Sequence, residues 1–293
     1  MSHKSLKIRE TYDFMLDTEV IKKIEDFVCL KPRSVQEIAE HTGKNWRTAD
    51  RYIQEIEKNF GTISTRVFRE GTRGALKIAF WASVEKIKGS VFQEQLEQQI
   101  MAGRTKYDFS GFDIFQHVSE KHKTAWIKEG EDESKAGRLN EFKELLLQAK
   151  KQILFFSGNL SFINFDDGKT NVFKVLDELA GKGITMKVVC RVDVGGKENI
   201  EKLLSLNFKY GKEVVEIRHR EQPLRVSVID NKIINLKEVK EPTGRKKELG
   251  TKTFIFYTIN DKEWTEWITR IFWKMFSGSI SAGKRIEEIK KVR

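Results

Sequence analysis

The segment "SVQEIAEHTG", residues 34–43, constrains the chain tightly because it prescribes both ends of a short helix. Ser34 is a capping residue and Glu37 stands at the third helical position, the pairing of a capping box. Gly43 supplies the turn that ends the helix. Before it, Pro32 in "KPRS" stops the pattern "TEVIKKIEDFVC" (18–29), in which Val20, Ile21, Ile24, Phe27 and Val28 share one helical face. After it, "NWRTADRYIQEIEKNFG" repeats Ala49, Ile53, Ile56 and Phe60 at helical spacing. Two helices joined by a tight glycine turn predict a helix-turn-helix.

The continuation "TISTRVFREGTRGALKIAFW" alternates and turns at "EGTRG", as a β-hairpin does. Three helices followed by a hairpin predict an α+β winged helix-turn-helix over residues 1–82. In such a fold the third helix enters the DNA major groove, and the hairpin wing lies along the backbone or minor groove. The expected DNA contacts on the helix are Lys44, Asn45, Trp46, Arg47 and Arg51; those on the wing are Arg66, Arg69, Arg73 and Lys77. Arg and Asn can pair with two atoms of a base edge, whereas Lys mostly holds phosphate. Trp46 fits either core packing or stacking on a sugar. Winged helices also serve as protein-interaction modules with solvated Arg and Lys, so an adaptor is an alternative to a DNA reader.

The balance of 54 Lys and Arg against 43 Asp and Glu gives a net charge of +11, which favours a polyanionic partner, double-stranded DNA above all. Charge alone does not decide, because Lys/Glu-rich surfaces also keep proteins soluble. No run approaches the roughly 18 apolar residues of a membrane helix, and "MSHKSLKIRETYDF" lacks the apolar stretch of a signal peptide. No membrane partner is expected. Cys29 and Cys190 are far apart with no CxxC pair, so neither a zinc site nor a disulfide framework is indicated. A cytoplasmic location fits, with no metal and no cofactor.

Residues 83–137 read as a helical linker or dimerisation region. In "SVEKIKGSVFQEQLEQQIM" Val84, Ile87, Val91, Leu96 and Ile100 form a narrow apolar seam, which suits a short coiled coil of a homodimer or a helix packed on its own chain. Phe109, Phe112 and Phe115 read as core. "KEGEDESKAG" (128–137) is loop-like and marks a domain boundary.

From residue 138 the pattern alternates between helix and strand: "RLNEFKELLLQAK", "KQILFFSGN", "NVFKVLDELAGKG", "ITMKVVCRV", "KENIEKLLSL" and then "EVVEIRH", "LRVSVID", "KIINLKE" and "TFIFYTI", with "DKEWTEWITRIFWKMFSG" last. Such alternation predicts an α/β domain with a mixed sheet, its helices on the sheet faces. The order, with "LFFSGN" after a long helix and the hairpin "LRVSVIDNKIINL", resembles the phospholipase D-like domain over residues 138–277. With the preceding winged helix it resembles the TrmB-like archaeal transcription regulators.

In phospholipase D-type enzymes the motif is His, any residue, Lys, four residues, Asp; the His attacks phosphorus and the Lys neutralises phosphoryl oxygens. At the matching positions this chain has Pro223, Arg225 and Asp230. A Pro ring has no nucleophile. None of the five histidines (His3, His41, His117, His122 and His219) is followed two residues later by Lys, and His219 has the wrong spacing to replace the missing residue on the same strand. No catalytic residue is therefore expected. TrmB-like relatives sense small molecules, often sugars, which implies an effector site; Ser157, Asn159, Arg225, Asp230 and Asn235 are its candidate lining. Asp230 and Asn231 are preferred as a plain turn, and Arg225 suits a solvent-facing position equally well.

The basic loop "KEPTGRKKELGTK" (240–252) reads as solvated charge. Trp264, Trp267, Ile268, Ile271 and Phe272 read as core first and a dimer contact second, and residues 278–293 as a basic tail, frayed or briefly helical. The function expected is a DNA-binding transcription regulator with an inactive phospholipase D-like domain for effector binding or dimerisation. Its rivals are a phospholipase D-type nuclease with a displaced nucleophile, and a winged-helix adaptor.

Overall fold

Ser34 and Gly43 do what their positions dictate. In the computed structural model, which describes residues 18–59, 62–69, 75–81, 89–130, 139–166, 168, 171–242 and 251–291, the Ser34 hydroxyl accepts from the Glu37 amide at 3.2 Å. The Glu37 carboxylate in turn accepts from the Ser34 amide at 2.8 Å. Both ends of helix α2 (Val35–Thr42) are thus fixed, since Gly43 ends it in the left-handed region at φ +66°. Around α2 stand α1 (Thr18–Leu30), α3 (Trp46–Asn59) and a small sheet of order β1-β3-β2, built from β1 (Arg33–Ser34), β2 (Ile63–Arg69) and β3 (Ala75–Trp81). Ile24, Val28, Ile38, Ala49, Ile53 and Ile56 form their shared core, so the helical periodicity of the sequence is the periodicity of burial. The expected turn "EGTRG" lies outside the described residues.

The chain divides into two units, residues 1–66 with 77–83, and residues 67–76 with 84–293. The second carries an eight-stranded mixed sheet of order β11-β7-β6-β5-β8-β9-β10-β4. Strands β5 (Gln152–Ser157), β6 (Thr185–Cys190) and β7 (Val215–His219) run parallel, joined through α7 (Val172–Gly181) and α8 (Lys197–Tyr210). Strands β8 (Val226–Ile229), β9 (Ile233–Lys240) and β10 (Thr253–Ile259) continue it antiparallel. One face buries Ile153, Val188, Ile217 and Ile229 against α6 (Leu139–Leu147), α7 and α8, through residues such as Leu146, Leu176 and Leu203. The opposite face meets α5 (Gly111–Phe115) and α9 (Lys262–Ser277), where Phe115 touches Tyr257 and Phe272 touches Phe156. Trp267, Ile268 and Phe272 are core, as their spacing on the last long helix predicts.

Two sequence boundaries move. Residues 83–137, expected as linker or dimerisation region, instead supply the second unit with α4 (Gly89–Ala102), α5 and the edge strand β4 (Lys123–Glu129), paired with β10 along its whole length. Leu96 and Ile100 are buried on α4, whose Gln93 donates to Glu263 of α9 at 3.1 Å, so this part of the seam packs on its own chain. Val84 and Ile87 lie outside the described residues, as does the Val91 side chain. Residues 278–293, expected as a basic tail, form β11 (Ile280–Ser281), antiparallel to β7, and α10 (Ala282–Lys291), whose Ala282 joins the core. Strand β4 leaves little trace in the sequence because an edge strand carries few apolar residues, whereas the helices of both segments were among the expected alternatives. No helix among the described residues is long and apolar enough to cross a membrane.

Candidate functional site

Among the described residues, exposed cations line α3 in the first unit, and a second set of cations borders a cavity in the other. On α3 the buried positions Ala49, Tyr52, Ile53 and Ile56 leave Arg47, Arg51, Gln54 and Lys58 exposed, a stripe at helical spacing along the outer side. Lys44 is exposed at the N-terminal end of the helix. Gln54 and Lys58 were not among the expected contacts; extending the spacing of Arg47 and Arg51 by one further turn finds both.

Three of the other expected contacts in this unit, Asn45, Trp46 and Lys77, make contacts within the fold. Asn45 caps α3, its side-chain oxygen accepting from the Thr48 amide at 2.9 Å. Trp46 is half-buried and packs against the core. Lys77 is corrected: it is folded inward against Asp50 at 2.7 Å, with side chains 14% and 16% exposed, and is no open phosphate contact. Arg66 is half-buried on β2. Arg73 and the side chain of Arg69 lie outside the described residues.

In the second unit a cavity of about 460 Å³ opens on the sheet face that carries Arg225, Lys237 and Phe256. Four of the five expected ligand residues line it: Ser157, Asn159, Arg225 and Asn235. Strand register explains the grouping. The Lys237 amide donates to the Arg225 carbonyl at 2.9 Å, Lys237 pairs with Phe256, and Phe256 pairs with Trp126. These four residues form one row across the strands with their side chains on one face. Ser227, Asn235 and Thr258 form the next row on the same face. Trp126 stacks on Phe256 at 4.0 Å between ring centroids, making a flat apolar end to the row. Phe142 and Leu145 of α6, with Phe162 and Phe165, form an apolar wall.

The fifth residue, Asp230, is corrected. It lies five residues from Arg225, roughly 16 Å along the strand, and does not line the cavity. Asp230 and Asn231 occupy a β-turn with φ +49° and +55°, the left-handed values of a tight hairpin turn. The Asp230 carboxylate accepts from the amides of Lys150, Lys151 and Gln152 at 2.7, 2.9 and 2.9 Å, clamping the turn to the start of β5. The turn reading preferred from sequence is the observed one.

Electrostatics separate the cavity cations from the others. Burial, and then the neighbouring Arg191 guanidinium, push Arg225 down to about 10. Its guanidinium presses on Gly158, where an added Cβ would sit 2.7 Å from a terminal nitrogen, and donates to the Leu224 carbonyl at 2.7 Å. No carboxylate among the described residues pairs with it. Burial pushes Lys237 down to about 7, helped by Lys106 and Lys252. Those two lysines share the Glu241 carboxylate at 3.4 and 3.3 Å, and Arg191 pairs with Asp193 at 2.6 Å.

Two amides of the loop after β5 are used within the loop: Leu160 donates to the Ser157 hydroxyl at 3.1 Å, and Ser161 to the Asn159 side chain at 3.3 Å. Pro223 is buried and abuts Gly103, where an added Cβ would stand 2.7 Å from the ring. His219 ends β7, three strand spacings or roughly 14 Å from β8, and its Nδ1 accepts from the Val192 amide at 2.9 Å. Burial, with Arg285 next, lowers its pKa below the ordinary histidine value. No cluster of three His, Cys, Asp or Glu side chains suited to a metal occurs among the described residues.

No protein-family model matches the chain, and no curated protein matches it. Among solved structures it is similar to Nuc, a phospholipase D family member from Salmonella typhimurium, at TM-score 0.40 and 11% identity over 54% of this chain and 97% of that one. It is similar to TrmBL2, an archaeal chromatin protein described as showing a novel mode of DNA binding, at TM-score 0.35 and 14% identity over 92% of this chain and 96% of that one. NucT from Helicobacter pylori matches at TM-score 0.38 and 13% identity over 54% and 99%. These TM-scores all lie below 0.5, so function is left to the residues of this chain.

Proposed function

We propose that the chain is a DNA-binding regulator whose N-terminal unit reads duplex DNA as a winged helix, and whose second unit is a non-catalytic module that binds a small ligand. The observation that carries the first half is the exposed stripe Arg47, Arg51, Gln54 and Lys58 on α3, with Lys44 at its head. A helix that is apolar inside and cationic outside, at the second position of a helix-turn-helix, suits a major groove lined by phosphates. Arg47 and Arg51 are the base-reading candidates, and Lys44 and Lys58 hold phosphate.

The non-catalytic half rests on Pro223 at the nucleophile position and on His219, which spends its Nδ1 on a backbone amide well away from Arg225. Both argue against the displaced-nucleophile nuclease.

Fluorescence anisotropy of a labelled duplex, followed by a gel of the recovered DNA, tests the reading. Expected are intact DNA and binding that an Arg47→Ala/Arg51→Ala variant loses by roughly tenfold to a hundredfold. Absence of binding at low salt moves the assignment to the adaptor, and cleaved DNA restores the nuclease.

A further inference from the structure

We infer that the chain pairs with a second copy of itself through the outer edge of β4, antiparallel and about a two-fold axis at Trp126. The inference goes beyond the DNA-reading proposal and does not depend on it.

One side of β4 is unused. The strand ends the sheet and pairs with β10 over all seven of its residues. Just beyond its ends the Gly130 amide donates to the Lys252 carbonyl at 3.0 Å, and the Asn260 amide to the His122 carbonyl at 2.9 Å. Residues of an antiparallel strand alternate between bonding to one neighbour and bonding to the other side. The even-numbered residues of β4 therefore direct their amides and carbonyls to β10, and those of Ala125, Ile127 and Glu129 point away from the sheet. None of these three has an outward backbone partner among the described residues.

The middle of this edge carries none of the usual guards. Edge strands that stay single tend to hold a charge, a Pro or a bulge where another strand would dock. The register of β4 with β10 runs without a bulge, the strand has no Pro, and Ala125, Trp126 and Ile127 at its centre are uncharged.

The sequence of β4 matches itself in reverse. With Trp126 opposite Trp126 of a second copy, Ala125 meets Ile127, Thr124 meets Lys128 and Lys123 meets Glu129. No like charges face each other. The odd-numbered residues, which bond outward, are the ones that meet in hydrogen-bonded pairs, giving about eight backbone bonds. Nζ of Lys123 is already held by Glu120 and the Phe115 carbonyl, each at 3.0 Å, so the fit rests on the backbone and on the absence of repulsion. Trp126 falls at the narrow position, where cross-strand aromatic pairs pack closely. Its stack on Phe256 then continues into the other copy, and the partner's Trp126 reaches the rim of the cavity that Trp126 borders. The far end of the sheet is β11, two residues long, which offers no comparable edge. The contact therefore closes at two subunits instead of propagating.

Sedimentation equilibrium of the full chain, free of DNA, tests the pairing. A reversible dimer with a dissociation constant on the order of 10 μM is expected. Ala125→Pro removes one outward amide and no bond to β10, and should weaken the dimer at least about tenfold. Thr124→Lys, at an exposed position, sets Lys opposite Lys128 twice and should weaken it by roughly fivefold to tenfold, while adding Lys128→Glu to that variant should restore it. Hydrogen exchange reads the register: the Ala125 and Ile127 amides should slow as concentration rises, and the Trp126 amide should be slow throughout. Thermal melts check folding; if Ala125→Pro does not fold, the charge swap decides alone.

A monomer at every concentration overturns the inference. So does a dimer that Ala125→Pro and Thr124→Lys leave intact, since it would use another surface, and so do oligomers that grow beyond two. Because no DNA is present, each of these failures leaves the DNA-binding reading standing.

Discussion

Arg47 and Arg51 stand in water on the outside of α3, whereas Arg225 and Lys237 are folded into a cavity beside apolar rings. Both pairs are positive, yet their surroundings predict different partners. An exposed cation keeps its hydration and is screened by salt, so it attracts extended polyanions from a distance and with modest selectivity. A buried cation has lost hydration and interacts more strongly with whatever anion replaces it, in one geometry and at one stoichiometry. The net charge of +11 says nothing about this division; the placement of four side chains does.

Salt should separate the two units by the widest margin. If α3 and its surroundings neutralise about four phosphates, the logarithm of DNA affinity falls with the logarithm of salt at a slope of about −3.6, a loss of about 150-fold between 50 and 200 mM. Self-association of the second unit through β4 should change by less than about threefold over the same interval, because backbone hydrogen bonds release no counterions. Parallel anisotropy and sedimentation series measure both. Equal salt slopes would dissolve the contrast.

Asp230 sharpens the boundary of the cavity. Asp230→Ala removes the acceptor of three backbone amides and places Ala at a positive φ, so stability should fall by about 2–3 kcal/mol. Urea denaturation gives that number. Stability equal to that of the parent would release Asp230 from the turn and return it to the candidate ligand residues.

How much of this was legible depends on how local each determinant is. Ser34, Glu37 and Gly43 define α2 within ten residues, and the structure follows them closely. Arg225 and Asp230 are as close in sequence, yet only one lines the cavity, because five residues of strand carry the other to the opposite end. Lys237 was missed although the hairpin holds its signal. The turn at Asp230 and Asn231 sets the pairing of Ile229 with Ile233, and counting outward places Lys237 beside Arg225. Trp126 was out of reach, since β4 finds its partner β10 about 130 residues later and its own composition is that of an edge. Lys77 was misread for the same reason: its partner Asp50 lies on another element, 27 residues before it.

Lys77 carries the smallest expected effect and the most direct comparison with Arg47. Each is a cation in the N-terminal unit, but Lys77 is held by Asp50 with little exposure while Arg47 stands free of the core. An ion pair turned inward has its field largely cancelled at the surface. Lys77→Met should therefore change DNA affinity by less than about twofold, while removing the ion pair of Asp50, to which Gln54 still donates, at a cost of about 1–3 kcal/mol. Arg47→Ala should do the reverse, weakening DNA binding with stability nearly unchanged, as exposed substitutions usually leave it. Urea melts and anisotropy on the same two variants provide the full cross. A Lys77 variant that loses DNA affinity as Arg47→Ala does would mean that the pair opens on contact with phosphate, and the distinction between inward and outward charge would fail in the N-terminal unit first.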